Sequence, residues 1–251
     1  MATSFNKSDK SSRRAVIDDV RRQQARAERR KSLTIVGVCV AVAVLIVGAA
    51  AFKPIKDWWD LRQFRGVDLG AIGAPASVCG EEITKEATGN QQHVDEGTQI
   101  NYTDAPPAFG QHYYQPATME RKLYTADDRP ALGTLVHNLE HGYTILWYDE
   151  TVADDDAQLS ELRGIADKLK GTSSGRNKFI AVPWLSTDEN GKKFPDNQHI
   201  AFTHWSVGGT DAADGAKQVG VWQYCSEVSG EGLKSFMLKY PYMDSPEPTA
   251  M

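Results

Sequence analysis

Cysteine is scarce in this sequence, and several familiar catalytic patterns are missing from it. Among 251 residues there are three cysteines, and none of them is spaced as Cys-x-x-Cys. That spacing is typical of redox-active dithiols, so a dithiol redox activity is not expected. The sequence also contains no phosphate-binding loop, dinucleotide fingerprint, serine nucleophile elbow or nucleic-acid module. These common classes of enzyme and of nucleic-acid-binding protein are therefore excluded.

Charge is missing from one long stretch near the amino terminus. Residues 32–52 contain 21 positions without a single Asp, Glu, Lys or Arg. As a helix rising about 1.5 Å per residue, they would cross the hydrocarbon core of a bilayer, which is about 30 Å thick. We therefore predict a transmembrane helix with the lipid bilayer as its partner. A cleaved signal peptide is the alternative because Ala49, Ala50 and Ala51 suit a cleavage site, but its apolar core would be unusually long.

The flanking charges predict the orientation of this helix. Residues 1–31 hold ten basic and four acidic side chains, a net charge of +6. Such a flank is retained in the cytoplasm, so the rest of the chain should lie outside the cell membrane. We predict four parts: a basic cytoplasmic tail (1–31), the transmembrane helix (32–52), a juxtamembrane connector (53–76) and an extracytoplasmic domain (77–251).

Acidic residues dominate beyond the apolar stretch. Residues 54–251 hold 17 basic and 29 acidic side chains, a net charge of −12. This charge favours solubility, attracts cations and repels nucleic acid, so no nucleic-acid partner is expected.

The outer part contains one possible pair of cysteines. Cys39 lies in the predicted membrane helix, which leaves Cys79 and Cys225 in a compartment where oxidation is permitted. We predict a disulfide between them, with two free thiols as the alternative.

Helical and strand patterns alternate in the outer part. Polar turn formers surround a short candidate strand at 98–102, and a helix with Asp127 and Asp128 as possible caps should end at Gly142. Strands at 143–148, 179–184 and 199–205, a fourth candidate at 219–225, and helices near 154–171 and 232–240 follow. The class is α+β, and the order β-α-β-β-α favours a sandwich with a thioredoxin-like core.

Two histidines share one face of the helix that ends at Gly142. At about 100° per residue, His137 and His141 lie within about 40° of each other and opposite the apolar stripe of that helix. Imidazoles at i and i+4 suit a metal ion, whereas the alternative is a structural role for both. The letters HNLEH also match a zinc-protease pattern, but Gly142 ends the helix before any further carboxylate could join it.

Two more histidines lie in turn-rich loops, His93 in QQHV and His112 in FGQHYY. The series HV at 93, Tyr102, APP at 105–107, GQH at 110–112 and LVHNLEHG at 135–142, followed by WY, resembles the DUF3105 family of bacterial, mainly actinobacterial, envelope proteins. The resemblance covers about the last 170 residues and implies an extracytoplasmic domain, often behind one membrane helix, without an established activity. It makes His93, His112, His137 and His141 the candidate metal ligands, although the loop PAFGQH departs from the usual turn of the family.

The metal and the function follow from these residues only as expectations. A histidine cluster accepts zinc or copper, and methionines of the outer part, among them Met119, Met243 and Met251, would suit Cu(I). We predict metal handling, or assembly of a membrane metalloenzyme, without catalytic turnover. A non-catalytic accessory subunit of a larger membrane complex, such as a respiratory complex, is the second hypothesis. A metal-dependent hydrolase with Glu140 as general base is the third.

Overall fold

The computed structural model describes residues 5–209 and 217–250. It divides into two compact units, one within residues 1–59 and the other within residues 60–251. The first unit is formed by helix α1, which runs over Phe5–Leu61 and ends just beyond the division. All strands of the described residues belong to the second unit.

Helix α1 contains the apolar stretch. Its segment Arg13–Phe52 is long and apolar enough to cross a membrane, the one such helix in the described part of the chain. Large apolar side chains there are exposed, with Leu45 at 72% and Val47 at 66%. By length and composition the segment fits a membrane span or a signal sequence. The orientation, the location in the cell membrane and the four predicted boundaries stay predictions.

The second unit is built on a five-stranded mixed sheet with the order β1-β7-β6-β4-β5. Strands β4 and β5 are parallel, and the other neighbours are antiparallel. A separate short parallel pair, β2 with β3, lies outside this sheet. The strands are β1 (Ile83–Glu86), β2 (His93–Val94), β3 (His112–Tyr113), β4 (Thr144–Tyr148), β5 (Phe179–Pro183), β6 (Ile200–Ser206) and β7 (Val219–Cys225).

The central strands are apolar on both sides, so the sheet separates two cores. On β4, Leu146 and Tyr148 face one core, whereas Ile145 and Trp147 face the other. Successive side chains of a strand point to opposite faces, and continuous apolar runs such as TILWY suit a sheet that is covered on both sides. Burial on both faces stabilises β4 within the unit.

Helices cover both faces of the sheet. Helices α4 and α5 contribute to the first core, and α2 contributes to the second. Helix α4 begins where the Asp155 carboxylate accepts hydrogen bonds from the N–H groups of Ala157 and Gln158, as an N-cap residue does. The helices of the second unit are α2 (Leu132–Glu140), α3 (Glu150–Ala153), α4 (Asp156–Lys168) and α5 (Gly230–Lys239).

The mixed α+β class predicted from the sequence is confirmed, with differences in detail. From β4 onward the order of strands and longer helices is β-α-β-β-β-α, because the fourth candidate strand at 219–225 does form and adds one strand to the order β-α-β-β-α. Residues 98–102 form no strand, because the Tyr102 N–H donates to the Glu189 carboxylate and its hydroxyl donates to the carbonyl of Gln111. The thioredoxin-like core stays a prediction.

A disulfide joins Cys79 to Cys225, two residues separated by 146 positions. Cys225 ends strand β7 and is fully buried, so the bond connects the start of the second unit to the sheet. Cys39 is free and exposed.

We expect loss of this disulfide to destabilise the second unit. In the chain-entropy model a loop of this length contributes up to about 5 kcal/mol, because the bond restricts the unfolded chain. The double variant Cys79→Ser with Cys225→Ser should therefore unfold at lower urea, followed by tryptophan fluorescence of the detergent-solubilised chain. Cys39→Ser is the matched control and should unfold as the wild type does. Equal midpoints for all three proteins would contradict the prediction.

Candidate metal centre

Helix α2 is shorter at its start than the sequence predicted. The Asp128 carboxylate does not cap it, because it accepts hydrogen bonds from the N–H and hydroxyl of Thr125 and pairs with Arg121. The N-cap is Ala131 instead. The helix ends at Glu140 with His141 as its C-cap residue, and Gly142 follows directly as the predicted terminator. Gly142 has φ +86°, and a Cβ there would lie 2.1 Å from the carbonyl oxygen of Tyr242, so glycine is required.

The two faces of α2 contact different parts of the unit. Leu135, Val136 and Leu139 are fully buried in the second core and fix the helix to the sheet. His137, on the other side of the helix, contacts the segment that carries β2 and β3, with its ring centroid 4.7 Å from that of His93. The apolar stripe therefore holds the polar side chains towards that segment.

The β2–β3 pair carries the loop histidines. His93 and His112 are directly paired in its register. The Asn138 side chain of α2 binds the backbone of Ala117, in the segment that follows β3. Its oxygen accepts a hydrogen bond from the Ala117 N–H, and its amide donates one to the Ala117 carbonyl, both at 2.9 Å. The Tyr102 hydroxyl donates to the Gln111 carbonyl at 2.6 Å. These hydrogen bonds hold both loop histidines against the helix.

Four side chains converge as a result: His93, His112, His137 and Glu140. One ligand atom from each lies within 4.8 Å of all the others, and the group could hold a metal ion. His112, His137 and Glu140 are buried, at 0%, 4% and 8% exposure, whereas the His93 side chain is 32% exposed. The Tyr114 ring stacks on His93 with centroids 5.3 Å apart. The cluster is therefore open to solvent on the His93 side.

Backbone carbonyls determine which ring nitrogens carry protons. His112 Nδ1 lies 2.7 Å from the Gly110 carbonyl, and His137 Nδ1 lies 2.6 Å from the Tyr113 carbonyl. A carbonyl oxygen only accepts, so each Nδ1 donates, and in the neutral rings Nε2 keeps a lone pair. Metal-binding histidines are oriented in the same way by hydrogen bonds from the opposite nitrogen.

The lone pair of His112 Nε2 points to a hydrogen-bond acceptor, the Glu140 carboxylate. His112 Nε2 lies 2.9 Å from Glu140 Oε2, and His93 Nε2 lies 3.7 Å from the same oxygen. An imidazole lone pair and a carboxylate oxygen repel each other unless a positive charge lies between them. A proton or a metal ion satisfies this requirement, and the two further imidazoles beside it suit the metal ion.

His141 belongs to a neighbouring group. It forms a second set with Glu140 and Glu247, again with one ligand atom from each within 4.8 Å of the others. Its Nε2 is 3.0 Å from His137 Nε2 and 3.6 Å from Glu247 Oε2. The structure thus brings together three of the four sequence-predicted histidines and places His141 beside them.

Burial and neighbouring charges shift the pKa values in both groups. Burial lowers the pKa of His137, and it lowers the pKa of His141 to about 4 with a further contribution from His137. Burial alone would raise the pKa of Glu140, but the hydrogen bond with His112 and the nearby imidazoles lower it overall. Near neutral pH these shifts favour neutral His137 and His141 and an ionised Glu140, the forms that bind metals.

The two remaining histidines lie outside both groups. His199 Nδ1 pairs with the Asp149 carboxylate at 2.8 Å. His204 is fully buried, and its two nitrogens contact the carbonyls of Tyr143 and Asp244. These contacts within the fold indicate a structural role for both histidines.

Two carboxylates of these groups, Glu140 and Glu247, are not among the ligands predicted from the sequence. Glu140 is predicted there only as a general base, although it follows His137 by three residues and therefore lies near the same face of the helix. Glu247 lies in the proline-rich tail, where no sequence pattern marks it as a ligand. Only the folding of the tail brings it close to α2. The Glu247 N–H donates to the Glu140 carbonyl at 2.9 Å.

A comparison with protein families agrees with the resemblance seen in the motifs. The model for the family described as "Protein of unknown function (DUF3105)" matches residues 93–251, which include both carboxylates and all four candidate histidines. The chain belongs to the DUF3105 family. No curated protein and no solved structure matches it.

We expect the metal-free protein to lose stability in acid. The folded chain keeps His137 and His141 neutral, whereas the unfolded chain binds protons below pH about 6.5, so the free energy of unfolding falls as the pH drops towards 4. The contribution of His141 is at most about 3 kcal/mol. Urea unfolding of the chelator-treated protein at a series of pH values measures it. His141→Gln should flatten the profile, and identical slopes for variant and wild type would contradict this cause.

Proposed function

We propose that the second unit binds a divalent transition-metal ion through His93, His112, His137 and Glu140. The observation that carries this proposal is the contact of His112 Nε2 with Glu140 Oε2 at 2.9 Å, where both atoms are acceptors in the neutral ring because Nδ1 donates to Gly110. A metal ion at this point would receive lone pairs from atoms that otherwise repel one another. The pairing of His137 Nδ1 with the Tyr113 carbonyl orients a third donor towards it.

The donor set favours zinc or copper(II). Imidazole suits zinc, copper, iron and nickel, and zinc also accepts carboxylate oxygens as ligands. Within the described residues the thioethers lie elsewhere: Met119 packs against the second core, Met237 packs against the first, and Met243 lines a separate cleft. Met251 is outside the described residues. Because the group has no sulfur donor, Zn²⁺ is our first candidate and Cu²⁺ the second, ahead of Cu(I).

Metal handling fits this group better than hydrolysis does. Catalytic zinc sites keep a position open for water, whereas four protein donors complete a tetrahedral shell. Glu140, the carboxylate that a hydrolase would use as general base, is itself one of the four donors. His93 is partly exposed and is therefore the ligand best placed to release and recapture an ion. We propose binding and transfer of the ion, including delivery to a membrane metalloenzyme.

We also propose that α1 anchors this unit outside the cell membrane. The apolar segment supports an anchor, and the net charge of +6 before it supports a cytoplasmic amino terminus. The net charge of −12 beyond it would attract cations to the outer unit. The accessory-subunit role in a larger membrane complex stays a prediction.

We expect the purified full chain to retain Zn²⁺ or Cu²⁺ after dialysis. His112→Ala and His137→Ala should each weaken binding by more than about 100-fold, the upper end of the loss caused by removing an outer partner of a ligand. Mass-spectrometric metal analysis and competition with a chromophoric chelator measure the retained metal and its affinity.

His199→Ala is the matched control for this experiment. It removes a partly exposed histidine that pairs with Asp149 outside both groups, so it should bind metal as the wild type does. Equal retention by His112→Ala and the wild type, or no retention by the wild type, would overturn the proposed metal function.

We expect the outer unit to be accessible from outside the cell. Proteinase K added to intact spheroplasts should degrade an epitope at the carboxyl terminus and spare one at the amino terminus, because the positive flank stays inside. Immunoblots of intact and lysed spheroplasts measure both epitopes. Protection of the carboxyl-terminal epitope until lysis would contradict this orientation, and its release into the medium without protease would indicate a cleaved signal sequence.

A further inference from the structure

The second group of side chains, Glu140, His141 and Glu247, is not explained by a single metal ion. Its three ligand atoms lie within 4.8 Å of one another, and it shares Glu140 with the first group. His141 Nε2 is 3.0 Å from His137 Nε2, so the two groups meet directly.

His141 differs from His112 and His137 in the hydrogen bonding of its Nδ1 atom. His112 and His137 each donate from Nδ1 to a carbonyl, whereas the buried Nδ1 of His141 has no hydrogen-bond partner within the described residues. The His141 side chain is nearly as buried as that of His137. A buried imidazole with an unsatisfied nitrogen costs free energy unless another interaction compensates for it.

A metal ion in the first group changes what His141 can do. Without it, His141 Nε2–H donates to the lone pair of His137 Nε2. Once that lone pair binds metal, the donor loses its acceptor. His141 must then donate to Glu247, which is 3.6 Å away and thus beyond a good hydrogen bond, or carry its proton on Nδ1 so that the lone pair of Nε2 becomes a ligand.

The carboxyl-terminal tail is fixed where it brings Glu247 to this point. The Lys178 ammonium donates at once to the carbonyls of His141, Pro248 and Ala250, at 2.8 to 2.9 Å. The Glu247 N–H donates to the Glu140 carbonyl. Lys178 is 4% exposed, so these hydrogen bonds are protected from water and hold the tail firmly against the end of α2.

We propose that Glu140, His141 and Glu247 form a second metal position, in which the Glu140 carboxylate bridges two divalent ions. This inference rests on the proposed metal function. With three protein donors, the second position keeps one coordination site open and binds its ion more weakly than the first. Glu247 is 53% exposed at its side chain, so this position is reached from solvent and serves as the entry site of an incoming ion.

Titration of the detergent-solubilised full chain with Zn²⁺ alone tests the proposal. The wild type should bind two equivalents in two affinity classes, and Glu247→Gln should bind only the tighter one. Glu96→Gln, which alters an exposed glutamate outside both groups, is the matched control and should bind two. One equivalent for the wild type and for Glu247→Gln overturns the second position and leaves the first intact. No binding by the wild type overturns both.

Loading with Cu²⁺ gives a second readout that does not depend on a variant. Two ions bridged by one carboxylate lie about 3.5–4 Å apart, as in other two-metal sites. The unpaired electrons of the two Cu²⁺ ions should couple. The integrated electron paramagnetic resonance signal of the fully loaded wild type should therefore correspond to far fewer spins than there are bound Cu²⁺ ions. Glu247→Gln should show the full signal of isolated Cu²⁺. A full isolated signal from the wild type with two bound ions would overturn the bridge.

Discussion

The structure of the second unit depends on one electrostatic constraint, the convergence of lone pairs at a buried point. Three imidazoles and a carboxylate meet with His112, His137 and Glu140 almost removed from water. Burial of such groups is unfavourable unless each is hydrogen-bonded or paired with a positive charge. The carbonyls that orient His112 and His137 leave their Nε2 atoms unprotonated in the neutral rings, so the neighbourhood itself requires a cation or a proton. The contacts of α2 and of the β2–β3 pair with the rest of the unit hold these side chains together.

The scaffold maintains it through rigidity. Helix α2 is fixed to a sheet that is buried on both faces, and Asn138 ties the segment after β3 to the helix. The disulfide and the Lys178 hydrogen bonds attach the remaining chain around this centre. Ligands that are already held in place lose little conformational freedom when an ion binds, which raises affinity.

Features of this structure that depend on local sequence patterns were predictable, whereas those that depend on contacts between distant parts of the chain were not. The stripe of Leu135, Val136 and Leu139 correctly placed His137 on the opposite side of α2, because helical periodicity alone determines that relation. The β2–β3 pair was not predictable, since two-residue strands have no periodicity. Glu247 was missed for a related reason: its position depends on Lys178, 69 positions earlier in the chain, and no local pattern reports such a contact. The family resemblance found the histidines of the loops, whereas physical reasoning from spacing found only those of the helix.

Charge and donor chemistry have separate effects on which ion reaches this unit. The acidic excess of residues 54–251 attracts any cation, including Ca²⁺ and Mg²⁺, and therefore contributes to encounter more than to selectivity. Those two ions prefer oxygen ligands, so a group with three imidazole nitrogens and one carboxylate discriminates against them. Selectivity among the transition metals then depends on geometry, because affinity in a nitrogen-rich site generally rises towards copper. The rigid attachment of α2 and of the β2–β3 pair thus determines more than binding strength: it limits the coordination geometries that the four side chains can offer.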